Sequence, residues 1–330
     1  MQKKLCTGCA EHMKNYMKTK IAIGCLVQWY ECDIIEEYLS SLRKALDAYD
    51  GEVIVDFAIN KNTDLEKPTS PEAYELAVKK IHKLILEYIP NRIRHTYQDR
   101  PYTIADYRRT FNSYYCDKAD VLVWGESDML VPSEMFVMID ALHTQVTVSK
   151  YIATFATCKM WDASWKPLEH PAFTDKPFIE NDYDNWWSLK YTMSYDEMQE
   201  INGRTDSSDV ITIAPHKFNG CGLVISSEVI KAGVNIPQSI FFVHEDTAFM
   251  LMMQRVLGNV PQYHFRDVLL VHNRNHPEKR NHVAGESGDT MNQKRRSNEW
   301  YVRANQMCEQ NAYNMFDPNF KSFSWEDVWK

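Results

Sequence analysis

No stretch of this 330-residue sequence is apolar for long enough to cross a bilayer. Runs such as IAIGCLV (21–27) and FMLMM (249–253) fall well short of the roughly 20 residues a span requires. Excess positive charge is also missing. A net charge of −8 and a pI near 5.8 exclude a protein that coats nucleic acid by charge alone, since such binding needs clustered Lys and Arg. The first twenty residues carry five lysines and no continuous apolar core, so they do not form a secretory signal, and a cytoplasmic location without membrane contact is expected. Glycine is scarce, at 11 residues, and repeats and low-complexity tracts are absent. No Gly-rich, basic loop follows the first apolar run. VQWYECD stands there instead, which counts against a nucleotidyltransferase.

What is present suits a globular chain: 44% hydrophobic and 25% charged residues, over a length that buries a large core. The eight cysteines, at 6, 9, 25, 32, 116, 158, 221 and 308, are scattered and mostly set in apolar stretches, as reduced thiols are. Cys6, Cys9 and His12 have the spacing of half a zinc site, but no second close pair completes it.

Along the chain, Ile21–Val27 reads as a strand. The apolar positions Ile34, Ile35, Tyr38, Leu39, Leu42 and Leu46 then read as a helix. EVIVDFAI (52–59) repeats the strand signal, and Pro71 opens a second helix through Tyr88. A helix near 104–116, strands at 121–124 and 151–157, GLVIS at 222–226, a helix from Glu245 and DVLLVH at 267–272 continue the alternation. Strand and helix in alternation imply an α/β fold with a mostly parallel sheet flanked by helices. Residues 158–220 interrupt the pattern with Trp161, Trp165, Trp186 and Trp187 and read as a large insertion, whose rings could stack on sugars or bases or simply pack. The expected organisation is an N-terminal extension (1–20), a main domain (21–273) and a C-terminal extension (274–330) packed on it.

Three clusters carry chemistry. In ADVLVWGESDMLVP an apolar strand runs into Glu126-Ser127-Asp128, and side chains at i and i+2 share a face. Two hard oxygens where a parallel sheet opens its crevice can hold Mg²⁺ or Mn²⁺, though acidic pairs at strand ends are also common as solvated turns. In FFVHEDTAFMLMMQRVL, Glu245 and Asp246 stand at a helix start, where a carboxylate either caps the free N–H groups or takes a proton from an attacking hydroxyl. DVLLVHN ends a strand in His272, and imidazole can complete a divalent-metal shell if it lies near the acidic pair.

In order and spacing, KIAIGCLVQWYECDIIEEYLSSLRKAL, EVIVDFAINKNTD, YRRTFNSYYCDKADVLVWGESDMLVP and NGCGLVISSEVIKAGVNIPQSIFFVHEDTAFMLMMQRVLG resemble successive segments of family-2-type inverting glycosyltransferases, which have the Rossmann-like GT-A fold. The resemblance covers roughly 21–62, 104–157 and 219–273. It implies transfer of a sugar from a nucleotide-diphosphate sugar, a UDP-sugar in first place, to an acceptor hydroxyl with inversion. Residue by residue, Glu126 and Asp128 match the D-x-D pair, with Asp128 the direct metal ligand and Glu126 acting through water or the ribose. His272 completes the Mn²⁺ or Mg²⁺ shell and Asp246 matches the base, with Glu245 beside it. Val27, Gln28, Trp29 and Glu31, with Asp56 and Asn60, would hold the nucleoside, and Arg108 or Arg109 would reach a phosphate.

Glutamate in place of the first Asp departs from the family pattern, and the base-binding D-D is not reproduced cleanly around Asp56. Gln293 and Arg296 fit the Q-x-x-R-W signature of processive synthases, but Ser297 occupies the Trp position, which favours a single transfer. Between 274 and 303, seven basic residues face four acidic ones, a candidate lid over a diphosphate or a solvated face. Low Gly with many Lys, Asn, Tyr and Met also looks like the composition of large bacteriophage proteins, some of which glycosylate hydroxymethylated cytosine in DNA. The expected acceptor is therefore such a DNA base, met in the host cytoplasm, or a glycan. A nucleotidyltransferase and a noncatalytic sugar-binding protein are the competing classes.

Overall fold

A computed structural model describes residues 18–61, 63, 65, 67–90, 93–98, 103–157, 194–203, 210–213, 220–272 and 299–330. Cys6, Cys9, His12, Trp161, Trp165, Trp186, Trp187, Gln293, Arg296 and the basic run from 274 to 298 lie outside the described residues. Among the described residues, no helix is long and apolar enough to cross a membrane.

The chain begins as the alternation predicts. Strand β1 (Ile21–Gln28) leads through a 3-10 turn into helix α1 (Ile35–Asp47), then β2 (Val53–Asn60) and helix α2 (Pro71–Tyr88). Ser70 caps α2 by accepting a hydrogen bond from the Ala73 N–H, and Pro71 occupies the first turn, where its missing N–H costs nothing. Strand β3 (Ile93–Gln98) follows. Its sequence, IRHTYQ, alternates too weakly to announce a strand, and pairing with β2 supplies what the pattern lacks. Helix α3 (Ile104–Tyr115) starts at Thr103, whose hydroxyl accepts from the Asp106 N–H while the Asp106 carboxylate accepts from the Thr103 N–H.

Next come β4 (Val121–Glu126), the two-residue β5 (Met129–Leu130), helix α4 (Met135–Gln145) and β6 (Ile152–Thr157). Within the expected insertion, helix α5 (Tyr195–Asn202) and strand β7 (Val210–Ile213) are described. The main domain closes with β8 (Val224–Ser226), α6 (Ser227–Lys231), α7 (Glu245–Leu257) and β9 (Gln262–His272). The expected C-terminal extension contains α8 (Glu299–Asn314) and α9 (Trp325–Val328).

Among the described residues, nine strands form one sheet in the order β3-β2-β1-β4-β8-β6-β9-β5, with β7 also on β9. The β3-β2-β1-β4 half is parallel throughout. Beyond it the sheet is mixed, because β8 runs antiparallel to both β4 and β6, while β9 is parallel to β6 and antiparallel to β5 and β7. The fold is thus the helix-flanked α/β sheet expected, with reversed strands in its second half. Apolar periodicity reports which face a strand buries, not which way it runs, so the reversal of the three-residue β8 was not visible in GLVIS.

Alternate residues of β1 feed two cores. Ile21, Ile23, Cys25 and Val27 pack with Tyr38, Leu39 and Leu42 of α1 and Ile81 and Ile85 of α2. Ala22 and Leu26 pack with Tyr107, Phe111 and Tyr115 of α3 and with Ala248 and Phe249 of α7. Burial of a full aromatic or branched side chain is worth about 1.5–3 kcal/mol, so these faces fix α3 and α7 on the sheet. Gly24 lets α3 approach: a Cβ there would stand 2.5 Å from the Phe111 ring and 2.6 Å from the Tyr107 hydroxyl. Gly24→Ala is expected to lower the unfolding free energy by about 1–3 kcal/mol, the cost of overpacking. The check is a fall in urea midpoint at unchanged m-value, and an unshifted midpoint would count against the close fit.

Candidate active site

Three distant segments meet at one end of the sheet. The parallel β1 and β4 bring Leu26 and Glu126 into register at their C-terminal ends. After Glu126 the chain turns through Ser127 and Asp128 into β5, where Met129 pairs with His272 at the end of β9. The result is a short path between the acidic turn and the imidazole. His272 Nε2 lies 2.9 Å from Glu126 Oε2 and 3.3 Å from Asp128 Oδ1.

The third segment arrives through Arg108 of α3. Its guanidinium donates to Glu126 Oε1 at 2.6 Å, to the Gly220 carbonyl at 3.1 Å and to Glu245 Oε1 at the start of α7. Its carbon sits 4.7 Å from the centroid of the Trp124 ring. Arg108 is 2% exposed. An unpaired cation there would cost several kcal/mol, and the two carboxylates offset that cost. The same charge acts back on its partners. Burial pushes the Glu126 carboxyl upward, but His272 and Arg108 outweigh it and hold the group at about 2. At Glu245 the balance reverses: burial and the neighbouring Asp246 charge outweigh Arg108 and raise it to about 7. Asp246 is close enough for its charge to reach both Arg108 and Glu245, and its Oδ1 accepts from the Thr247 N–H at 2.7 Å.

The segment before α7 is clamped. Arg109 donates to the carbonyls of Ile236, Pro237 and Ile240, and the Thr103 hydroxyl donates to the Phe241 carbonyl. His244, which precedes Glu245, adopts a left-handed backbone with φ 66°, a conformation rare outside glycine that turns the chain sharply into the helix.

The remaining residues singled out in the sequence divide between the site and the scaffold. At the paired ends of β1 and β2, Asn60 donates to Gln28 Oε1 at 2.9 Å. Glu31 Oε2 accepts from the Gln28 N–H and from the Ser127 hydroxyl at 2.7 Å, tying the loop after β1 to the acidic turn. Val27 and Trp29 are wholly buried in the core. Asp56 lies under α3, accepting from the hydroxyls of Tyr107 at 2.9 Å and Tyr115 at 2.7 Å. Arg109 has its donors on Asp106 and the three carbonyls. Of the residues expected at the donor, Val27 and Trp29 thus pack in the core, Asp56 holds the tyrosine hydroxyls and Arg109 holds the carbonyls before α7.

The donor set suits a divalent cation. Although Nε2 of His272 is near two carboxylates, neither ring nitrogen makes an aligned hydrogen bond among the described residues, and the side chain is 4% exposed. A buried imidazole aimed between carboxylates without a proper N–H···O bond is the arrangement a cation would complete. Among the described residues, the group whose ligand atoms all lie within 4.8 Å of one another is Glu126, Cys221 and His272. Cys221 was not singled out from the sequence, where it was one of several cysteines in apolar surroundings. The flanking glycines of N-G-C-G were the available signal.

No family model matches the chain, and no curated protein does. Solved structures to which it is similar include S. aureus TarS 1-349, at 11% identity and TM-score 0.42, covering 74% of this chain and 60% of that one. TarS 1-349 in complex with UDP-GlcNAc gives 10% identity and TM-score 0.46 over 94% of this chain and 70% of that one. Glucosyl-3-phosphoglycerate synthase from Mycobacterium tuberculosis, in complex with Mg²⁺ and UDP, gives 12% and 0.42 over 94% and 84%. The chain spans 60% of TarS 1-349 and 36% of the longer TarS structure. Similarities of this size leave the site to be defined by the residues of this chain.

Folded Glu245 holds its proton up to about pH 7, against an ordinary 4.5, so its contribution to stability is complete below 4.5 and lost as pH rises through 7. Glu245→Gln is expected to flatten the pH dependence of the urea unfolding free energy between about pH 5 and 8. An unchanged slope would remove the raised carboxyl from this account.

Proposed function

We propose that this chain is a metal-dependent, inverting glycosyltransferase of the GT-A type. It moves one sugar from a nucleotide-diphosphate sugar, a UDP-sugar in first place, to an acceptor hydroxyl. The observation that carries the reading is the convergence of Glu126, Asp128 and His272 on one side of Arg108 with Glu245 and Asp246 on the other.

In this reading Asp128, His272 and Glu126 hold Mn²⁺ or Mg²⁺. When bound, the ion supplies positive charge against the diphosphate that leaves. Asp246 takes the proton of the acceptor hydroxyl. The acceptor oxygen forms a bond to the anomeric carbon from the face opposite the diphosphate, and the bond to the diphosphate breaks with its electron pair, inverting the centre. Asp246 suits the role because α7 is packed through Ala248 and Phe249 into the core, which fixes the carboxylate before substrate arrives. Arg108 neutralises Glu126, and Glu245 once that carboxyl has lost its proton, so the acidic mouth does not repel an anionic donor. Gln28 and Asn60, exchanging a hydrogen bond at the ends of β1 and β2, are the polar groups proposed to meet the nucleoside, with Glu31 bracing the loop behind them.

A hydroxymethylated cytosine in DNA and a glycan are the acceptors to be offered. Base flipping would be needed for the first. Low glycine and abundant Lys, Asn, Tyr and Met are what favour trying phage-type DNA.

Asp246→Asn is expected to lower turnover by about 10²–10⁴-fold, the usual worth of a positioned base, while leaving donor affinity nearly intact. Donor hydrolysis, transfer and calorimetric binding measured on the same variant check this, and near-normal turnover would remove Asp246 as the base. Separately, a UDP-sugar with Mn²⁺ is expected to raise the melting temperature more than either alone. Additive or absent shifts would count against a shared donor and cation site.

A further inference from the structure

We infer that Cys221 is a direct ligand of the cation at this site, and that its sulfur biases the site toward borderline and soft divalent ions over Mg²⁺. The inference rests on the reading of Glu126, Asp128 and His272 as a cation site.

The backbone around Cys221 is built to present it there. The Gly222 N–H donates to the Trp124 carbonyl at 2.8 Å, and the Trp124 N–H donates to the Leu223 carbonyl at 3.0 Å. Residues 220–223 are thereby locked beside β4, two residues before Glu126. Gly220 is held on the other side through its carbonyl by Arg108. Both glycines are required at these places. A Cβ on Gly220 would stand 1.9 Å from Arg108 Nη1. Gly222 has φ +72°, and a Cβ there would lie 2.4 Å from Leu270 Cδ1. The two glycines thus seat Cys221 between Arg108 and β9, 5% exposed, its sulfur within 4.8 Å of the ligand atoms of both Glu126 and His272.

Ion bonds of about 2.0–2.3 Å to nitrogen, oxygen and sulfur let one ion touch all three atoms after small side-chain adjustments. The second pointer to a ligand is His272, buried, with Nε2 2.9 and 3.3 Å from two carboxylates yet no aligned hydrogen bond at either ring nitrogen among the described residues. A thiolate ligand discriminates. Mg²⁺ keeps to oxygen shells, whereas Mn²⁺, Co²⁺, Zn²⁺ and Cd²⁺ accept sulfur progressively better.

The test is Co²⁺ titration of the full chain carrying Cys6→Ser and Cys9→Ser, so that the N-terminal thiols cannot contribute, followed by near-ultraviolet absorption. A saturable sulfur-to-cobalt charge-transfer band is expected. Cys221→Ser in the same background is expected to lose the band and weaken Co²⁺ binding by about tenfold or more, at least the cost of disturbing an outer-shell partner, with Mg²⁺ binding little changed. Cys221→Ala is the second variant, its fold checked by circular dichroism, so that loss of the band in either folded variant assigns it to Cys221. Saturable binding of Co²⁺ by calorimetry without the band, or a band that survives Cys221→Ser, overturns the sulfur ligand and leaves the oxygen and imidazole site standing. No saturable Co²⁺ or Mn²⁺ binding overturns the cation site and this inference together.

Discussion

A single buried guanidinium organises the mouth of the sheet. Arg108 lies between Glu126 at the end of β4 and Glu245 at the start of α7. The three groups are unfavourable to bury singly and acceptable only together, since an uncompensated charge in such a place costs several kcal/mol. This forces the helix that carries Asp246 and the strand that carries the acidic turn into one arrangement. Arg108 can do this because α3 is anchored along its length, by Tyr107 and Tyr115 on Asp56 and by Trp124, whose indole N–H donates to Asn112. Packing positions the arginine, and the arginine positions the chemistry.

The parallel half of the fold was legible because β1, β2 and β4 are apolar runs, and β1 and β2 are each followed by a helix of clear 3.6-residue period. The second half was harder for a physical reason. Strands β5 and β8 are two and three residues long, and β7 belongs to a stretch rich in polar and aromatic side chains. Such elements are specified by their partners more than by themselves. The α8 helix was obscured in the same way. Its burial comes from Ala304, Cys308, Asn311 and Ala312, small or polar residues that a search for large apolar repeats passes over.

The site divides similarly. Glu126, Asp128, Glu245, Asp246 and His272 stood out because together, in order and spacing, they form a pattern that solvated turns and caps do not require, and the structure brings Glu126, Asp128 and His272 together and joins Glu126 to Glu245 through Arg108. Positions inferred from proximity along the chain fared differently. Val27 and Trp29 are adjacent to Gln28 yet pack in the core, the first from the end of β1 and the second from the 3-10 turn that follows it. Arg108 and Arg109 are neighbours that point to different tasks, one to carboxylates and the other to carbonyls. Cys221 was hidden because a thiol in an apolar stretch looks inert until the fold shows what lies opposite.

The carbonyl clamp made by Arg109 and Thr103 reaches beyond local order. By gripping 236–241 from the first turns of α3, it makes the approach to α7 part of the same rigid body as the arginine at its centre. Asn311 of α8 holds the same segment from behind through the Ser239 carbonyl. In the proposed reaction, a hydroxyl arriving at the sheet would therefore meet a carboxylate whose place was decided during folding, and the energy of its binding would be left for the encounter itself.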